Sequence, residues 1–311
     1  MYECNNVKMK GRTLCSPFFF IPIRLHNLTI TNMLFANRIK NINFVTDIYW
    51  YSILQKIMLF NKIIFGPVKS RRLGTSLGVN LLPDDSKLCN FNCIYCECGF
   101  NFTKPHSHLP KREEVKEALR AKLQEYADKN EHIDTITFAG NGEPTLHPQF
   151  AEIIDDVVEL RNAICPATKI SVLSNATFAH KPQVFAALHK VDNNILKLDS
   201  GIEETIKIIN QPTGNFSLKD TVENLKKFRG NLVLQTLFFS GNYKGVTIDN
   251  TTDEEVSAWL KLVEEITPKS VMIYTLDRPT PAENLHKADP KRLAEIAAKV
   301  EALGIKTQIN G

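Results

Sequence analysis

Four of the seven cysteines in this 311-residue chain fall within ten residues, at Cys89, Cys93, Cys96 and Cys98. The first three have the spacing Cys-x3-Cys-x2-Cys. Three thiolates on one short loop can hold three irons of a cubane [4Fe–4S] cluster and leave the fourth iron open to a bound molecule. The alternative is a structural zinc site in which four sulfurs complete a tetrahedron. Zinc ribbons usually have two separated knuckles, so the spacing favours a cluster on Cys89, Cys93 and Cys96.

A second motif, Gly140-Asn141-Gly142-Glu143-Pro144, follows the next predicted strand. Its glycines let the backbone approach a ligand closely, and Glu143 can accept a hydrogen bond from an ammonium group. Together with the cysteine motif, in which Tyr95 is the aromatic residue before the last cysteine, it resembles the signature of the radical S-adenosylmethionine (SAM) superfamily. Asn141 stands where that family has the first glycine of its Gly-Gly-Glu-Pro motif.

The resemblance implies two cofactors, a [4Fe–4S] cluster and SAM. In the family the open iron chelates SAM, and one electron from the cluster cleaves the sulfonium to methionine and a 5′-deoxyadenosyl radical. By this resemblance Tyr95 lies near the adenine, and Gly142, Glu143 and Pro144 bind around the SAM ammonium. We therefore expect an iron–sulfur oxidoreductase or lyase-type enzyme that takes its electron from an external reductant of flavodoxin or ferredoxin type. The sequence names no residue for the later substrate chemistry.

Short polar side chains stand at the ends of the next two predicted strands. Ser174 and Asn175 follow one strand, and Asp199 follows the other. Side chains of this kind suit the recognition of ribose hydroxyls or a carboxylate, which would place them at the cofactor. Their alternative role is to cap the following helices.

Apolar, β-branched runs alternate with helix-like stretches from about residue 76 onwards. The predicted strands are Leu77–Leu82, Ile133–Phe138, Ile170–Leu173, Ile195–Leu198, Leu232–Phe239 and Val271–Tyr274. The clearest predicted helices are Arg112–Asp128, Phe150–Arg161, Leu218–Phe228, Asp253–Ile266 and Pro290–Leu303, with Asp253 as a plausible N-cap. This alternation predicts an α/β fold, a partial (β/α)6 TIM-like barrel of parallel strands with an N-terminal extension.

The first 57 residues differ in composition from the rest of the chain. They carry seven Lys or Arg and two Asp or Glu, so their net charge of +5 exceeds the +4 of the whole chain, and the remainder is weakly acidic. We expect residues 1–57 to be a poorly ordered or non-native extension, with Met58 as a possible native start, and residues 58–311 to form the radical SAM core domain. The apolar run Val45–Phe60 is too short and too polar to cross a bilayer, so no membrane association is expected.

The stretch Phe65–Gly78, which contains Arg71 and Arg72, resembles the opening of a radical SAM subgroup related to 4-demethylwyosine synthase. The paired arginines can bind a carboxylate, a phosphate or a substrate backbone, or can form a solvated turn. The resemblance makes tRNA or another RNA one candidate substrate. The weakly acidic composition of the residues after residue 57 fits a radical SAM activase or maturase, acting on a protein or small molecule, at least as well as it fits an RNA-modifying enzyme. A non-catalytic zinc-binding module is the alternative from another class.

Clustered cysteines indicate a reducing cytoplasm, and the sequence leaves the oligomeric state open.

Overall fold

The computed structural model describes residues 58–310, so the predicted extension, residues 1–57, lies outside the described residues. Its eleven strands are β1 (Ile64–Ser70), β2 (Gly74–Val79), β3 (Thr135–Phe138), β4 (Lys169–Ser174), β5 (Asn193–Lys197), β6 (Val233–Leu237), β7 (Phe239–Tyr243), β8 (Val246–Asp249), β9 (Ser270–Tyr274), β10 (Leu285–Lys287) and β11 (Lys306–Asn310). Eight of them form one sheet in the order β1-β2-β3-β4-β5-β6-β9-β11.

This sheet is a curled half-barrel. Strands β2 to β6, β9 and β11 run parallel, and only β1 pairs antiparallel, with β2. The predicted α/β partial barrel is therefore confirmed. A separate three-stranded antiparallel sheet, in the order β10-β7-β8, follows β6 in the chain.

Seven helices of the described part connect the strands. They are α1 (Arg112–Asp128), α2 (Phe150–Ile164), α3 (Pro182–Lys190), α4 (Glu203–Ile209), α5 (Leu218–Lys226), α6 (Asp253–Ile266) and α7 (Pro290–Glu301). The N-cap of α6 is Thr252, whose hydroxyl accepts from the backbone N–H of Glu255 at 3.3 Å. The expectation that Asp253 caps this helix was wrong by one residue. Asp253 lies in the first turn, where its charge still favours the helix dipole. No helix of the described range is long and apolar enough to cross a bilayer.

The two faces of the sheet have different chemistry. On one face, strand residues such as Ile136 and Ile170 pack with the helix residues Ile153 and Trp259 in a single buried cluster. Burial of such side chains stabilises the fold by about 1.5–3 kcal/mol each. The opposite face carries hydroxyls, and Thr135 Oγ1 lies 2.8 Å from Ser171 Oγ on the neighbouring strand. The barrel interior is therefore partly polar, as a substrate site requires.

An ionic clamp holds the first two helices together. Asp156 on α2 is only 4% exposed. Arg112 on α1 donates to it in a bidentate manner, at 2.5 and 2.9 Å, and Lys116 Nζ donates at 2.9 Å. The pKa of Asp156 is lowered mainly by the hydrogen bonds from Arg112, and the hydrogen bond from Lys116 lowers it less. This clamp fixes the helix that follows the cysteine-containing loop.

Candidate active site

The cysteine loop, residues 87–99, is anchored to the end of α4. The backbone N–H of Asn92 donates to the carbonyl of Asn210 at 2.8 Å, and that of Ile94 donates to the carbonyl of Ile209 at 3.0 Å. Ile94 itself is fully buried. These contacts hold the loop over the end of the sheet, because a buried apolar anchor and paired backbone groups leave it few other conformations.

Amide donors surround the sulfurs of two predicted ligands. Nδ2 of Asn210 lies 3.3 Å from Sγ of Cys93. Sγ of Cys89 accepts from the backbone N–H of Phe91 at 3.4 Å and lies 3.8 Å from Nδ2 of Asn175. Donors of this kind stabilise sulfur that carries negative charge, as a thiolate ligand does. The donor set therefore fits an iron–sulfur cluster.

Electrostatics distinguish the third sulfur from the other two. Burial raises the pKa of the Cys89 and Cys93 thiols, and the nearby charge of Glu143 adds to the effect at Cys89. At Cys96, a hydrogen bond with Cys98 and the charge of Lys87 lower the pKa instead. Metal ligation requires deprotonated sulfur, so these two contacts favour the ligand form of Cys96.

Lys87 is a buried cation at the start of this loop. Its side chain is almost fully buried, with a relative exposure of 2%, and Nζ donates to the carbonyl of Gly99. Burial alone would lower the pKa of Lys87, but the thiolates of Cys96 and Cys93 raise it above its ordinary value. A buried ammonium needs nearby negative charge, and a cluster held by three thiolates supplies it.

Cys98 has a different role from its three neighbours in the structure. Its thiol donates to the carbonyl of Gly140 at 3.4 Å, and its hydrogen bond with Cys96 raises its own pKa. Within residues 58–310, no group of three or more Cys, His, Asp or Glu side chains converges on a single metal-ion position.

The cysteine loop and the Gly-Glu-Pro loop pair through their backbones. The N–H of Leu88 donates to the carbonyl of Asn141 at 2.9 Å, and the N–H of Glu143 donates to the carbonyl of Leu88 at 3.2 Å. Gly142 lies between them with φ +141, and a Cβ there would lie 1.8 Å from the Leu88 carbonyl oxygen. Only glycine permits this approach. The Asn141 side chain donates to the carbonyls of Phe60 and Pro83 at 2.9 and 2.8 Å, so this substitution for glycine has a structural purpose.

Glu143 organises two strand ends at once. Its Oε1 accepts from the Thr145 hydroxyl at 2.6 Å and from the Ser174 hydroxyl at 2.8 Å, and Oε2 accepts from the backbone N–H of Asn175 at 2.7 Å. Burial nevertheless raises the pKa of Glu143. A carboxylate offers about four lone-pair sites, so Oε2 keeps one for a further donor. Pro144 begins a buried 3-10 turn, Pro144–Leu146, that fixes the chain after Glu143.

A second polar group lies on the other side of the cysteine loop. Asp199 is 1% exposed. It accepts from the hydroxyl of Tyr95 and from Nδ2 of Asn210 at 2.8 Å, and its Oδ2 lies 3.5 Å from Nζ of Lys197. Because Asn210 also faces Cys93, the network connects the end of β5 with the cluster loop.

The matching family model covers residues 85–263 and is described as the radical SAM superfamily. The chain belongs to the radical SAM superfamily. In this radical SAM protein the matched segment begins just before the cysteine loop and ends within α6, so it includes the predicted ligands and most of the half-barrel.

Proteins related to this radical SAM protein come from several bacteria. A UPF0026 protein of Helicobacter pylori is 32% identical over 222 residues, which are 70% of this chain and 67% of that protein. A Brachyspira hyodysenteriae protein named GTPase Obg is 31% identical over 254 residues, or 79% of this chain. The chain spans about a third, 35%, of that protein's length. The name UPF0026 does not distinguish the wyosine-related subgroup from other radical SAM proteins.

Two solved structures share the fold. A radical SAM methyltransferase from Sphaerobacter thermophilus has a TM-score of 0.56 and 13% identity, covering 76% of this chain and 65% of that chain. SuiB of Streptococcus suis has a TM-score of 0.54 and 15% identity, covering 91% of this chain and 58% of that chain. At these identities the similarity shows that the half-barrel fold is shared, and it does not show which reaction the chain catalyses.

The predicted site residues of this radical SAM protein form two groups around the cysteine loop. Ser174, Asn175 and Glu143 lie on the Cys89 side, where the Ser174 hydroxyl and the Asn175 backbone N–H donate to Glu143. The side-chain oxygens of Ser174 and Asn175 also accept from the backbone N–H groups of Ala176 and Thr177, in the turn before α3. Tyr95 and Asp199 lie on the Cys93 side, and the Tyr95 hydroxyl points at Asp199. Sequence reasoning missed three residues, which are Lys87, Lys197 and Asn210. Only Lys197 gave a signal, because it is a cation within the predicted strand Ile195–Leu198, whose other residues are apolar.

Proposed function

We propose that this chain is a radical SAM enzyme that holds a [4Fe–4S] cluster on Cys89, Cys93 and Cys96 and uses SAM as its second cofactor. The observation that carries the proposal is the cysteine loop itself, whose sulfurs lie among amide donors and beside the buried ammonium of Lys87. When bound, the cluster supplies one electron that cleaves SAM to methionine and a 5′-deoxyadenosyl radical.

The chain's own residues support this chemistry in three ways. Glu143, with the free lone-pair site of Oε2, is suited to accept a hydrogen bond from the SAM ammonium. Asn175 holds the Cys89 side of the loop and Asn210 holds the Cys93 side. Tyr95 is tied to Asp199 and its ring packs edge-on against Phe239 at 5.6 Å, so the aromatic residue expected near the adenine is held in one position.

Two substrate classes follow from the superfamily assignment. The resemblance of Phe65–Gly78 to wyosine-related enzymes supports modification of tRNA or another RNA. Activation or maturation of a protein or a small molecule is the second candidate, and the weakly acidic composition of residues 58–311 supports it. In either case the enzyme needs an external one-electron donor, and the proposed location is the reducing cytoplasm.

The proposal is tested on anaerobically purified and reconstituted protein. Metal and sulfide analysis should give roughly four iron and four sulfide per chain, and dithionite-reduced protein should convert SAM to 5′-deoxyadenosine, detected by mass spectrometry. Cys93→Ala should lose both iron and SAM cleavage, and Cys165→Ala, at the end of α2, should keep both. About one zinc per chain with no SAM cleavage would instead establish the zinc-binding module.

A further inference from the structure

Arg72 reaches from one end of the sheet to the other. It lies in the turn between β1 and β2, and its guanidinium carbon lies 4.6 Å from the centroid of the Tyr274 ring. Tyr274 ends β9, which lies five strands beyond β2 in the sheet order. Nε2 of Gln308, on the last strand β11, donates to the backbone carbonyl of Arg72 at 3.2 Å. The turn therefore closes the open side of the half-barrel.

Two donors near this ring have no partner. Nη1 of Arg72 and Nδ2 of Asn310 are buried and make no hydrogen bond within residues 58–310. Asn310 is in register with Tyr274 across β11 and β9. It also shares a face of β11 with Gln308, because residues two apart in a strand point the same way. Buried polar groups without partners are few in folded proteins, and a bound group is one of the established explanations for them.

Positive charge around Tyr274 exceeds the negative charge that faces it. Nζ of Lys197 lies 3.2 Å from the Tyr274 hydroxyl, and its counterion is Asp199 at 3.5 Å. Arg72 stacks on the same ring and has no carboxylate partner in the described part of the chain, whereas Arg112 has Asp156. Asp199 therefore balances the charge of Lys197, whereas no carboxylate of the described residues balances the charge of Arg72.

The neighbouring arginine provides a contrast. Nη2 of Arg71 lies 2.9 Å from Oδ2 of Asp277, and both side chains are substantially exposed, at 57% and 41%. The two arginines are adjacent in the sequence, but their side chains lie in different environments. Arg71 forms an ordinary exposed ion pair, and Arg72 turns its guanidinium towards the Tyr274 ring.

We propose that Arg72, with Asn310 and Tyr274, binds an oxyanion group of the substrate, either a carboxylate or a phosphate. The guanidinium presents parallel N–H donors that match the two oxygens of such a group, and its stacking on the ring fixes the plane of those donors. The inference rests on the proposed function, since it deepens that function by naming the chemistry of the substrate.

The position of the site agrees with this role. Tyr274 contacts Lys197, Lys197 contacts Asp199, and Asn210 joins Asp199 to Cys93. A substrate held by its anionic group at Arg72 would therefore lie next to the network that supports the cluster loop. The anion would anchor the substrate at one end and leave its other end directed towards the cofactors.

The test is anion binding by the full-length, cluster-loaded protein. Isothermal titration calorimetry is performed with inorganic phosphate and with acetate, against chloride at matched ionic strength. Wild-type protein should bind at least one of the two, and Arg72→Gln should weaken that binding at least tenfold. Arg71→Gln should bind like the wild type. Tighter binding of phosphate would indicate a phosphate-bearing substrate, and tighter binding of acetate a carboxylate.

A second variant keeps the test decisive if Arg72→Gln folds poorly, which its iron content would reveal. Asn310→Asp places a carboxylate beside the ring, and we expect it to abolish anion binding and to raise the melting temperature. Wild-type protein that binds neither probe, or an Asn310→Asp protein that binds as tightly as wild type, would overturn the anion site. A failure of the proposed function is seen separately, as wild-type protein without iron or without 5′-deoxyadenosine formation.

Discussion

Asn210 donates to the sulfur of Cys93 at 3.3 Å, and the same nitrogen lies 2.8 Å from Oδ2 of Asp199. A residue at the end of α4 thus links a predicted iron ligand to a buried carboxylate. Hydrogen bonds to ligand sulfur stabilise the reduced form of an iron–sulfur cluster, which carries more negative charge.

We expect Asn210→Ala to lower the midpoint potential of the cluster. Loss of one hydrogen bond worth about 1 kcal/mol corresponds to on the order of 40 mV for a one-electron couple. Potentiometric titration followed by EPR measures the shift, and Asn224→Ala on α5 serves as the control. A potential within a few millivolts of wild type, with full iron content, would contradict the role assigned to Asn210.

Gly142→Ala should damage the pairing of the two site loops. The new Cβ would lie 1.8 Å from the carbonyl oxygen of Leu88, and φ is +141 at this position. Backbone strain of this kind costs about 1–3 kcal/mol, so we expect lower stability in urea and reduced iron incorporation. Gly214→Ala is the matched control, because no atom lies within 4 Å of the Cβ position there. Equal iron content in the two variants would show that the pairing is dispensable.

Glu143→Ala should weaken SAM binding by ten- to a hundredfold. A charge-assisted bond to the SAM ammonium contributes about 1.5–3 kcal/mol, at about 1.4 kcal/mol per tenfold change in affinity. SAM titration followed through the cluster's EPR signal gives the affinity, and iron content shows whether the loop survives. Glu117→Ala, exposed on α1, is the control. Unchanged affinity would leave Glu143 as a residue that only joins the ends of β3 and β4.

Cys98→Ser should retain the cluster. The serine hydroxyl can still donate to the carbonyl of Gly140, which Cys98 contacts at 3.4 Å. Iron per chain and 5′-deoxyadenosine formation should therefore stay close to wild type. Protein purified without iron would restore the hypothesis that all four clustered cysteines are ligands.

Asp156→Asn should lower the free energy of unfolding at neutral pH by about 1.5–3 kcal/mol, the value of a hydrogen bond to a charged group. The pKa of Asp156 is lowered in the folded state, so its contribution is present above its ordinary value of 3.8 and is lost as the pH falls through the folded value. Urea unfolding between pH 7 and pH 3 should show the difference from wild type shrinking. Asp155→Asn, whose side chain is 52% exposed, should change stability little. A constant difference across this range would contradict the assignment.

The sequence patterns predicted most of the alternating strands and helices of the half-barrel. The observed bounds of α1 and α6 are those predicted, because continuous amphipathic periodicity and acidic first turns define both helices. The run predicted as one strand, Leu232–Phe239, instead contains all of β6 and the first residue of β7. At Phe238 the chain passes from the eight-stranded sheet to the three-stranded sheet. The residues on both sides of this point are apolar, so the sequence pattern does not show where one strand ends and the next begins. β11 was missed because it is short and mostly polar.

The candidate site was predictable only where chemistry requires a fixed spacing. The three cysteines and Glu143 stood out because they lie in motifs at the ends of strands. Asn210 and Lys87 gave no such signal, since their roles depend on contacts across the cysteine loop and a carboxamide or an amine is common in any loop. Burial is the property that distinguishes them, and burial is set by the tertiary structure.

The buried charge of Lys87 makes the cysteine loop depend on the charge of its own sulfurs. The carbonyl of Gly99 is only a dipole, so the ammonium relies on the sulfurs of the loop, chiefly Cys96, for negative charge. With a cluster in place, the charge of three thiolates and their irons surrounds it. If the cluster is lost in air and these sulfurs are oxidised, that negative charge disappears, and the loop can lower its free energy by opening and letting Lys87 reach water. Air exposure should therefore make residues 87–99 more sensitive to limited proteolysis than they are in anaerobic protein.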